Sequence, residues 1–351
     1  MKVVLDCHMV GQSMAGDAGN ARYTASLCTA MLGTAGAGQV VEAMVSHPGV
    51  AETLGGVTTW PVAAAGARRL LWDAPRALRR SAAELGIFNY AIPARTGCAT
   101  AVIVHDASFV HDPQWLPPRA RRVLNAMVPR AVARADLVIS VSETAAGDIS
   151  ASLGIDPARV AVVPNYAAEP FRPDGPAQEV AARRGLGRFV LAVGDIGPRK
   201  NLGALAEAVS LVGADGLELV IVGRRRAAAQ LNGHEARFLG HIPDGELAAL
   251  YRSAAVVCAP SLYEGFGLTL LEALACGAPV VASDRGAHPE VARDAALLVP
   301  PTAAGLAEGL RAALEPTTAG RLSERGPAAA RRFSATDSGN RAWAAVEKIL
   351  S

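Results

Sequence analysis

The chain has 351 residues, of which 51% are hydrophobic and 19% are charged, a composition that excludes a mainly disordered protein. Its length is about twice that of an average domain, so we expect two domains. The formal net charge of +2 at pH 7 excludes a strong overall attraction to nucleic acid or to an anionic membrane.

Short apolar runs alternate with longer helical stretches along the first half of the chain. Five of these runs predict strands, at 2–6, 40–46, 101–106, 136–142 and 159–165. The segment 119–136 predicts a basic helix with apolar residues along one side. We favour a solvated face for the arginines of this helix, and a weak peripheral contact with a membrane stays open as the alternative.

A segment rich in proline and glycine, 171–187, follows and is predicted to be a linker. After it, strands are predicted at 188–194, 217–223, 236–240, 255–260, 278–283 and 296–300. The helices predicted between them lie at 200–213, 244–253, 267–276 and 303–314. These strands are apolar throughout, as expected for a parallel sheet that helices cover on both faces.

Two successive series of strands and helices predict an α/β protein with two Rossmann-like domains that face each other across a cleft. We place the first domain at 1–170, the linker at 171–187 and the second domain at 188–333. The closing helix, 334–351, is predicted to pack back on the first domain. Ligands of open parallel sheets bind beyond the carboxyl ends of the strands, so we expect the site in the loops that follow them.

The cysteines and the amino-terminal segment bear on the cellular compartment. Five cysteines, an odd number without a C-x-x-C pair, indicate reduced and mostly buried thiols. No basic stretch followed by a long apolar run is present at the start, so no secretory signal is expected. No run reaches the roughly 18 apolar residues that a membrane-spanning helix needs. The sequence therefore predicts a soluble, cytoplasmic protein.

The segment 194–202 follows the first predicted strand of the second domain and precedes a helix. It brings Arg199 and Lys200 to the junction, where arginine offers a bidentate fork and lysine a point charge to a diphosphate. The alternative is a surface turn with two solvated charges. Lys200 is the only lysine away from the chain termini, which argues against that alternative.

The segment 260–283 combines two glutamates with a glycine-flanked turn that opens a helix. Glu264 follows a predicted strand, and Glu272 lies inside the helix. Backbone N–H groups at a helix start are a suitable seat for phosphate or sugar oxygens, and carboxylates accept hydrogen bonds from sugar hydroxyls. Taken alone, such a pair of glutamates would be better explained as a solvated side chain beside a helix start.

A metal site is the less favoured interpretation of the histidines and aspartates at 105–112. His105 ends an apolar strand, whereas metal-binding pairs of this kind lie on helices. The chain also contains no D-x-D motif, which a metal-bridged diphosphate would favour. We therefore expect neither a metal ion nor a bound cofactor.

Taken together and in this order, these segments resemble the retaining glycosyltransferases of family 4, which have the two-domain GT-B fold. The residues 198–201 match the PRKN element of that family, and Glu264 and Glu272 match its E-x7-E element. Weaker matches lie at 104–109, 163–165, 238–247 and 288–291. The resemblance covers most of the chain.

The resemblance implies a role for each matched residue. Glu264 would contact the hydroxyls of the donor sugar, and Glu272 would bind the ribose of the nucleotide. Arg199 and Lys200 would neutralise the departing diphosphate, and His105 would face the sugar from the first domain. The residues expected to hold sugar and phosphate oxygens are Gly16, Gly19, Gly194, Phe266, Gly267 and Leu268. Those expected to line the nucleobase are Gly240, His241 and Ile242.

The glycines at 16 and 19 belong to a loop, 11–24, that follows the first predicted strand. This loop is similar to a longer version of the glycine-rich loop of the family, and its glycines would let the backbone approach the donor diphosphate or the acceptor. It lacks the spacing of the dinucleotide-binding fingerprint, so a flexible turn without a ligand is an equal alternative.

The activity implied by the resemblance is that of a metal-independent, retaining glycosyltransferase that uses a nucleotide-diphosphate sugar, with GDP-mannose as the leading donor. The first domain would bind the acceptor, which is a glycan, a lipid-linked sugar or a small natural product. No nucleic-acid partner is expected. The resemblance favours attack from the face that the leaving phosphate vacates over a double displacement. The alternatives are a nucleotide-sugar epimerase of the same architecture and a non-catalytic sugar-nucleotide-binding protein.

Overall fold

A computed structural model divides the chain into two units, one formed by 1–166 with 334–351 and the other by 167–333. The structure describes residues 1–11, 18–47, 49–64, 66–195, 197–224, 231 and 233–351. Each unit is built on one parallel sheet. The α/β class and the two Rossmann-like sheets predicted from the sequence are confirmed.

The first unit contains strands β1 Lys2–Asp6, β2 Val40–Val45, β3 Thr58–Pro61, β4 Leu85–Asn89, β5 Ala99–Ile103, β6 Leu137–Ser140 and β7 Val160–Val162. They form one sheet in the order β3-β2-β1-β4-β5-β6-β7, and all pairs are parallel. Its helices are α1 Ala18–Gly33, α2 Val50–Thr53, α3 Ala74–Ser81, α4 Ser108–His111, α5 Pro118–Arg134 and α6 Glu143–Leu153. The strand order reverses between β1 and β4, so the expected ligand position of this sheet lies beyond the carboxyl ends of these two strands.

The second unit contains strands β8 Arg188–Val193, β9 Leu217–Val222, β10 Arg237–Gly240, β11 Val256–Ala259, β12 Val280–Ser283 and β13 Leu297–Val299. They form a parallel sheet in the order β10-β9-β8-β11-β12-β13, which reverses between β8 and β11. Its helices are α7 Gln178–Arg183, α8 Leu202–Val212, α9 Asp244–Ser253, α10 Leu268–Ala275, α11 His288–Ala292, α12 Ala303–Leu314 and α13 Pro316–Ala330. Helices α8 and α12 pack together over a buried cluster that includes Leu205, Ile221 and Leu310.

Two strands of the first sheet, β3 and β4, were missing from the sequence-based prediction. The edge strand β3 contains two threonines and ends on proline, so it lacks the continuous apolar run of its neighbours. The strand β4 contains Gly86, which reads as a turn signal in the sequence. A Cβ atom on Gly86 would lie 2.8 Å from the ring of Phe88 and 3.1 Å from Leu78. Close packing therefore requires a glycine at this position, which is not part of a turn.

The segment 171–187, predicted to be a linker, lies within the second unit. Its helix α7 contacts α9, and Arg252 of α9 donates hydrogen bonds to the carbonyl groups of Arg172 and Pro176. The boundary between the units falls instead after Tyr166, and the chain returns to the first unit at Ser334. This segment rich in proline and glycine is a loop bound to a helix of the second unit. Its composition alone does not distinguish such a loop from a linker.

The basic helix α5 is partly buried. Val128, Ala131 and Val132 are buried, whereas Val123 is 46% exposed. Arg134 donates hydrogen bonds to the carbonyl groups of the 93–94 loop. Among the residues that the structure describes, no helix combines the length and the apolar character that crossing a bilayer requires.

The last helix, α14 Ala335–Leu350, packs against α1 in the first unit. Ser334 caps it by accepting a hydrogen bond from the N–H group of Asp337 at 3.1 Å. Trp343 is 4% exposed, and its indole N–H group donates to the carbonyl oxygen of Met31 at 2.9 Å. A Cβ atom on Gly339 would collide with the backbone of Ala30, so the two helices approach closely at this glycine.

Replacement of Trp343 by alanine should lower the free energy of unfolding of the first unit by about 3 kcal/mol, because it leaves a cavity and removes the hydrogen bond to the Met31 carbonyl oxygen. The matched control is Trp72→Ala, since Trp72 is 60% exposed, and it should change that free energy by less than about 0.5 kcal/mol. Urea unfolding followed by circular dichroism measures both. Equal effects of the two substitutions would contradict the burial of α14 on α1.

Candidate functional site

The loops that follow β8 and β11 leave the second sheet side by side, at the point where its strand order reverses. These loops lie within 194–202 and 260–283, the two segments that the sequence marks as chemically informative. A backbone hydrogen bond joins them, since the N–H group of Leu262 donates to the carbonyl oxygen of Arg199 at 2.8 Å. This edge is the position where open parallel sheets bind their ligands.

The carboxylate of Glu264 lies between two cations. Arg199 donates from Nη1 to Oε2 at 2.8 Å, and Lys200 donates from Nζ to Oε1 at 2.7 Å. The Glu264 side chain is 12% exposed. Burial by itself raises the pKa of Glu264, but the charges of Arg199 and Lys200 outweigh it and hold that pKa well below its usual range. We call these three side chains the Glu264 ion-pair cluster.

The backbone around the cluster holds the two cations in place. The turn Pro198–Lys200 is followed by Asn201, which has a left-handed backbone with φ 51°. The side chain of Asn201 donates hydrogen bonds to the carbonyl groups of Pro260 at 3.1 Å and Pro301 at 2.8 Å. Asparagine is one of the few residues that tolerate this conformation, so it both ends the turn and fixes the loop to its neighbours.

Gly194 lies directly under the side chain of Lys200. A Cβ atom on Gly194 would stand 2.9 Å from Cε of Lys200, and its φ of 144° disfavours any other residue. The next residue, Asp195, forms an ion pair with Arg224 at 2.7 Å. Gly194 therefore supports Lys200 by leaving space for its stem, and whether its backbone also binds a donor oxygen stays a prediction.

The glycine turn before α10 has the conformation that the sequence predicts. Gly267 has a positive φ of 93°, and α10 begins at Leu268. The first N–H groups of a helix have no acceptor within the helix, so they are available to an anionic or hydroxylated ligand. Phe266 is 7% exposed and packs edge-to-face on Phe333, with ring centroids 5.4 Å apart. The side chain of Phe266 thus belongs to the core, and only its backbone remains a candidate for binding.

Glu272 lies in the interior of the unit and not in the loop. It is 2% exposed, and its Oε2 accepts a hydrogen bond from the hydroxyl group of Tyr251 in α9 at 3.2 Å. The spacing of eight residues therefore separates a largely buried Glu264 at the site from a Glu272 that is almost fully buried. The ribose contact expected of Glu272 stays a prediction.

The residues expected to line the nucleobase follow β10. Gly240 has a positive φ of 69°, and its carbonyl oxygen accepts a hydrogen bond from Gly223 at 2.9 Å, which joins the ends of β10 and β9. His241 is exposed, whereas Ile242 is 4% exposed. Only His241 of these three presents its side chain to solvent.

One side chain at this site was missed by the sequence analysis. His288 begins α11, and its Nδ1 lies 2.9 Å from the hydroxyl oxygen of Ser283. Burial lowers the pKa of His288 to about 4, although the nearby charge of Glu264 opposes this. At pH 7 the ring is therefore neutral. The match at 288–291 pointed to the segment but gave its histidine no role.

The first unit has its own polar cluster near the carboxyl ends of the strands where its strand order reverses. His105, which follows β5, is 8% exposed, and its Nε2 lies 3.2 Å from the amide oxygen of Asn89 at the end of β4. The rings of Tyr23 and Tyr90 stand 5.2 and 5.5 Å from its centroid. Burial lowers the pKa of His105 to about 4, partly opposed by the charge of Asp106, so this ring is also neutral at pH 7.

A buried acid at the end of β1 extends this cluster. Asp6 lies 2.9 Å from Nδ1 of His8 and forms an ion pair with Arg69, which begins a π-helical turn, Arg69–Asp73. Burial raises the pKa of Asp6, but the hydrogen bond with His8 and the charge of Arg69 together lower it below its usual value. Neither His8 nor Arg69 lies in a recognisable motif, so the sequence did not identify them as members of this cluster.

The remaining predicted positions are less informative. Gly16 lies outside the described residues, and Gly19 lies in the first turn of α1. In the part of the chain that the structure describes, no group of three or more His, Cys, Asp or Glu side chains is arranged to hold a metal ion. The structure thus brings Glu264, Arg199 and Lys200 together beside the glycine turn, and His105 lies in the other unit.

Comparison with known families assigns each half of the chain. Residues 39–166 match the family described as Glycosyltransferase Family 4, and residues 178–329 match the family described as Glycosyl transferases group 1. The chain belongs to the group 1 and family 4 glycosyltransferases. The family 4 resemblance inferred from the sequence is thereby confirmed.

Curated relatives within this family include mannosyltransferases. The chain is 29% identical to O-antigen chain mannosyltransferase B of Escherichia coli over 61% of its length and 60% of that protein. It is 42% identical to the phosphatidyl-myo-inositol mannosyltransferase of Mycobacterium leprae over 39% of its length and 40% of that protein. The aligned regions thus span about half the length of these relatives.

Solved structures of low sequence identity share the fold. Sucrose-phosphate synthase from Thermosynechococcus elongatus superposes with a TM-score of 0.76 and 21% identity, covering 100% of this chain and 99% of that one. HepE from Anabaena in complex with UDP-glucose superposes with a TM-score of 0.72 and 17% identity, covering 99% of this chain and 100% of that one. These glycosyltransferase-fold neighbours establish the architecture expected from the sequence.

Replacement of Glu264 by glutamine should lower the free energy of unfolding at pH 7 by about 2 kcal/mol, because Arg199 and Lys200 lose their counter-charge. The folded-state pKa of Glu264 is depressed, so its stabilisation is present above the unfolded-state pKa of about 4.3 and is lost as the pH falls below it. The difference between wild type and variant should therefore shrink toward pH 3. Urea unfolding at several pH values measures it.

The matched control for this prediction is Glu246→Gln. Glu246 also pairs with an arginine, Arg184, but its side chain is 35% exposed. An exposed pair contributes little, so this variant should lose less than about 1 kcal/mol. A Glu264→Gln effect that is no larger, or that does not change with pH, would contradict the buried ion-pair cluster.

Proposed function

We propose that this chain transfers a hexose from a nucleotide-diphosphate sugar to a hydroxyl group of a glycan, a lipid-linked sugar or a small natural product. The observation that carries the proposal is the Glu264 ion-pair cluster, which lies beside the glycine turn at the reversal point of the second sheet. Membership of the glycosyltransferase family supports the same reaction class.

The two cations suit a diphosphate leaving group. Arg199 and Lys200 carry two positive charges and Glu264 one negative charge, so the cluster has a net charge of +1 and attracts an anion. As the bond between sugar and phosphate breaks, negative charge grows on the phosphate oxygens. Cations already held in place stabilise that charge without reorganisation, which lowers the barrier.

Glu264 suits the opposite charge that develops on the sugar. Its carboxylate stays ionised at neutral pH because its pKa is held low by the two cations. A negative group near the reacting carbon stabilises an oxocarbenium-like transition state. We propose that the reaction retains configuration, with attack from the face that the leaving phosphate vacates and with that phosphate accepting the proton of the acceptor hydroxyl.

The same cluster supports a reaction without a metal ion. In other enzymes a divalent cation neutralises the diphosphate, and here Arg199 and Lys200 supply that charge from the protein. We propose that no further cofactor takes part. The leading donor is GDP-mannose, because the two curated relatives described above are mannosyltransferases. UDP-glucose remains in the test panel because HepE binds it.

The proposed location is the cytoplasm. The five cysteines are free thiols, and four of them, Cys7, Cys28, Cys258 and Cys276, are buried. Unpaired cysteines are typical of reducing compartments such as the cytoplasm.

Binding of the nucleotide tests the cationic pair. One of GDP, UDP, dTDP and ADP should raise the melting temperature of the wild type, since a ligand at a hundred times its Kd adds about 2.7 kcal/mol. Arg199→Ala should abolish most of this shift, because it removes a phosphate-binding fork. Arg184→Ala is the matched control, since its partner Glu246 lies outside the cluster, and it should keep the shift. No shift with any nucleotide or with the corresponding sugar nucleotides would refute the proposed donor site.

Turnover tests the role of Glu264 and separates the alternatives. Glu264→Gln should lower the rate of sugar transfer from GDP-mannose by about 100-fold, because a preorganised charge at the reacting sugar is lost. Glu246→Gln should leave that rate unchanged. The products are analysed by mass spectrometry with and without an acceptor.

Each alternative outcome of that assay would assign a different function or mechanism to this protein. An epimerised donor formed without acceptor would identify a nucleotide-sugar epimerase. Nucleotide-sugar binding without any turnover would identify a non-catalytic binding protein. A trapped covalent adduct between sugar and enzyme would replace the same-face mechanism by a double displacement.

A further inference from the structure

The loop that carries His288 is packed on the loop that carries Glu264. The N–H group of Ala287 donates to the carbonyl oxygen of Glu264 at 2.9 Å. Gly286 has a positive φ of 56°, and a Cβ atom there would stand 2.5 Å from the same carbonyl oxygen. Only a glycine allows this approach, which holds His288 beside the Glu264 ion-pair cluster.

Hydrogen bonds determine which ring nitrogen of His288 carries the proton. The hydroxyl group of Ser283 donates its single hydrogen to the carbonyl oxygen of Ser261 at 2.6 Å. Its oxygen therefore accepts the second contact, which comes from Nδ1 of His288 at 2.9 Å. The backbone carbonyl oxygen of Ser283, 3.3 Å from Nδ1, is also an acceptor. Nδ1 is thus protonated, and Nε2 of the neutral ring carries a lone pair.

The Nε2 edge of the ring faces the glycine turn. A Cβ atom on Gly267 would lie 3.0 Å from Cδ2 of His288 and 3.5 Å from Nε2, so the ring edge lies against the backbone at the start of α10. The hydrogen bonds of His288 described within the second unit run through Nδ1. Its remaining acceptor therefore lies at the turn where the amides of Gly267 and Leu268 are expected to bind the donor.

We propose that Nε2 of His288 accepts a hydrogen bond from a hydroxyl group of the donor sugar bound at the turn formed by 264–267. This inference rests on the proposed function, because it requires a sugar nucleotide at this turn. A lone pair repels phosphate oxygens and carboxylates, so the group that it meets is a hydroxyl and not the diphosphate. The donor class is therefore a hexose with a free hydroxyl group at this position.

The contact also selects among sugars. A donor that lacks this hydroxyl would leave a nearly buried acceptor without a partner, and such losses discriminate more strongly than a missing methylene does. His288 is thus a specificity-determining residue for the sugar, while Arg199 and Lys200 recognise the diphosphate that all such donors share.

The test compares a nucleotide with its sugar nucleotide by isothermal titration calorimetry. GDP is compared with GDP-mannose, and UDP with UDP-glucose, and the pair that binds the wild type is used. His288→Asn keeps a hydrogen-bonding group near the Nδ1 position, facing Ser283, but has no acceptor at the Nε2 position. We expect about fivefold weaker binding of the sugar nucleotide, with binding of the nucleotide alone changed by less than about twofold.

Two further variants make the test specific. His234→Asn is the matched control, because Nδ1 of His234 likewise lies 2.8 Å from a serine hydroxyl, that of Ser210, in the same unit but outside the site. It should bind both ligands as the wild type does. His288→Gln places an amide oxygen near the Nε2 position and should recover part of the affinity for the sugar nucleotide, so it keeps the test decisive if His288→Asn fails to fold.

Singly deoxygenated analogues of the sugar nucleotide identify the hydroxyl group. One analogue should bind the wild type about fivefold more weakly than the parent and bind His288→Asn as the parent does. Equal weakening of nucleotide and sugar nucleotide by His288→Asn, or no weakening, would overturn the contact and leave the proposed function intact. Failure of every nucleotide and sugar nucleotide to bind the wild type would instead overturn the proposed function.

Discussion

The second unit depends on one constraint, which is that a carboxylate from one loop must meet two cations from another. Glu264 follows β11 and the pair Arg199 and Lys200 follows β8, and the strand order places these two loops side by side. Charges removed from water need partners at hydrogen-bond distance. The left-handed Asn201 and the open space over Gly194 are the local features that make this meeting possible.

The same arrangement prepares the site for chemistry. A free pair of cations at the end of a sheet would repel each other and move, whereas the carboxylate holds them where a diphosphate is expected to arrive. The charge of Glu264 in turn is kept ionised by its partners, so one cluster provides both signs of charge that glycosyl transfer requires. His288 adds a neutral acceptor beside them, held by a serine and not by another charge.

The two units have the same strand order, but different side chains lie at the point where that order reverses. In the second unit the reversal point gathers charged groups that suit a diphosphate sugar. In the first unit it gathers His105, Asn89 and the buried ion pair of Asp6 and Arg69, whose opposite charges offset each other near a neutral histidine. A polar cluster without net charge suits hydroxyl groups, in keeping with the acceptor role predicted for this unit.

The sequence by itself determined the fold class, eleven of the strands and the candidate residues Arg199, Lys200 and Glu264, because apolar runs, turn glycines and the segments 194–202 and 260–283 are local patterns. The strand order decided that these three side chains meet in one ion-pair cluster. Tertiary structure decided the rest. Gly86 in β4 is required by close packing, and the segment 171–187 belongs to the second unit and is not a linker. Glu272 is buried and accepts a hydrogen bond from Tyr251, and His288 reaches the site from a third loop. Each of these depends on contacts between residues far apart in the chain, and short-range periodicity contains no information about such neighbours.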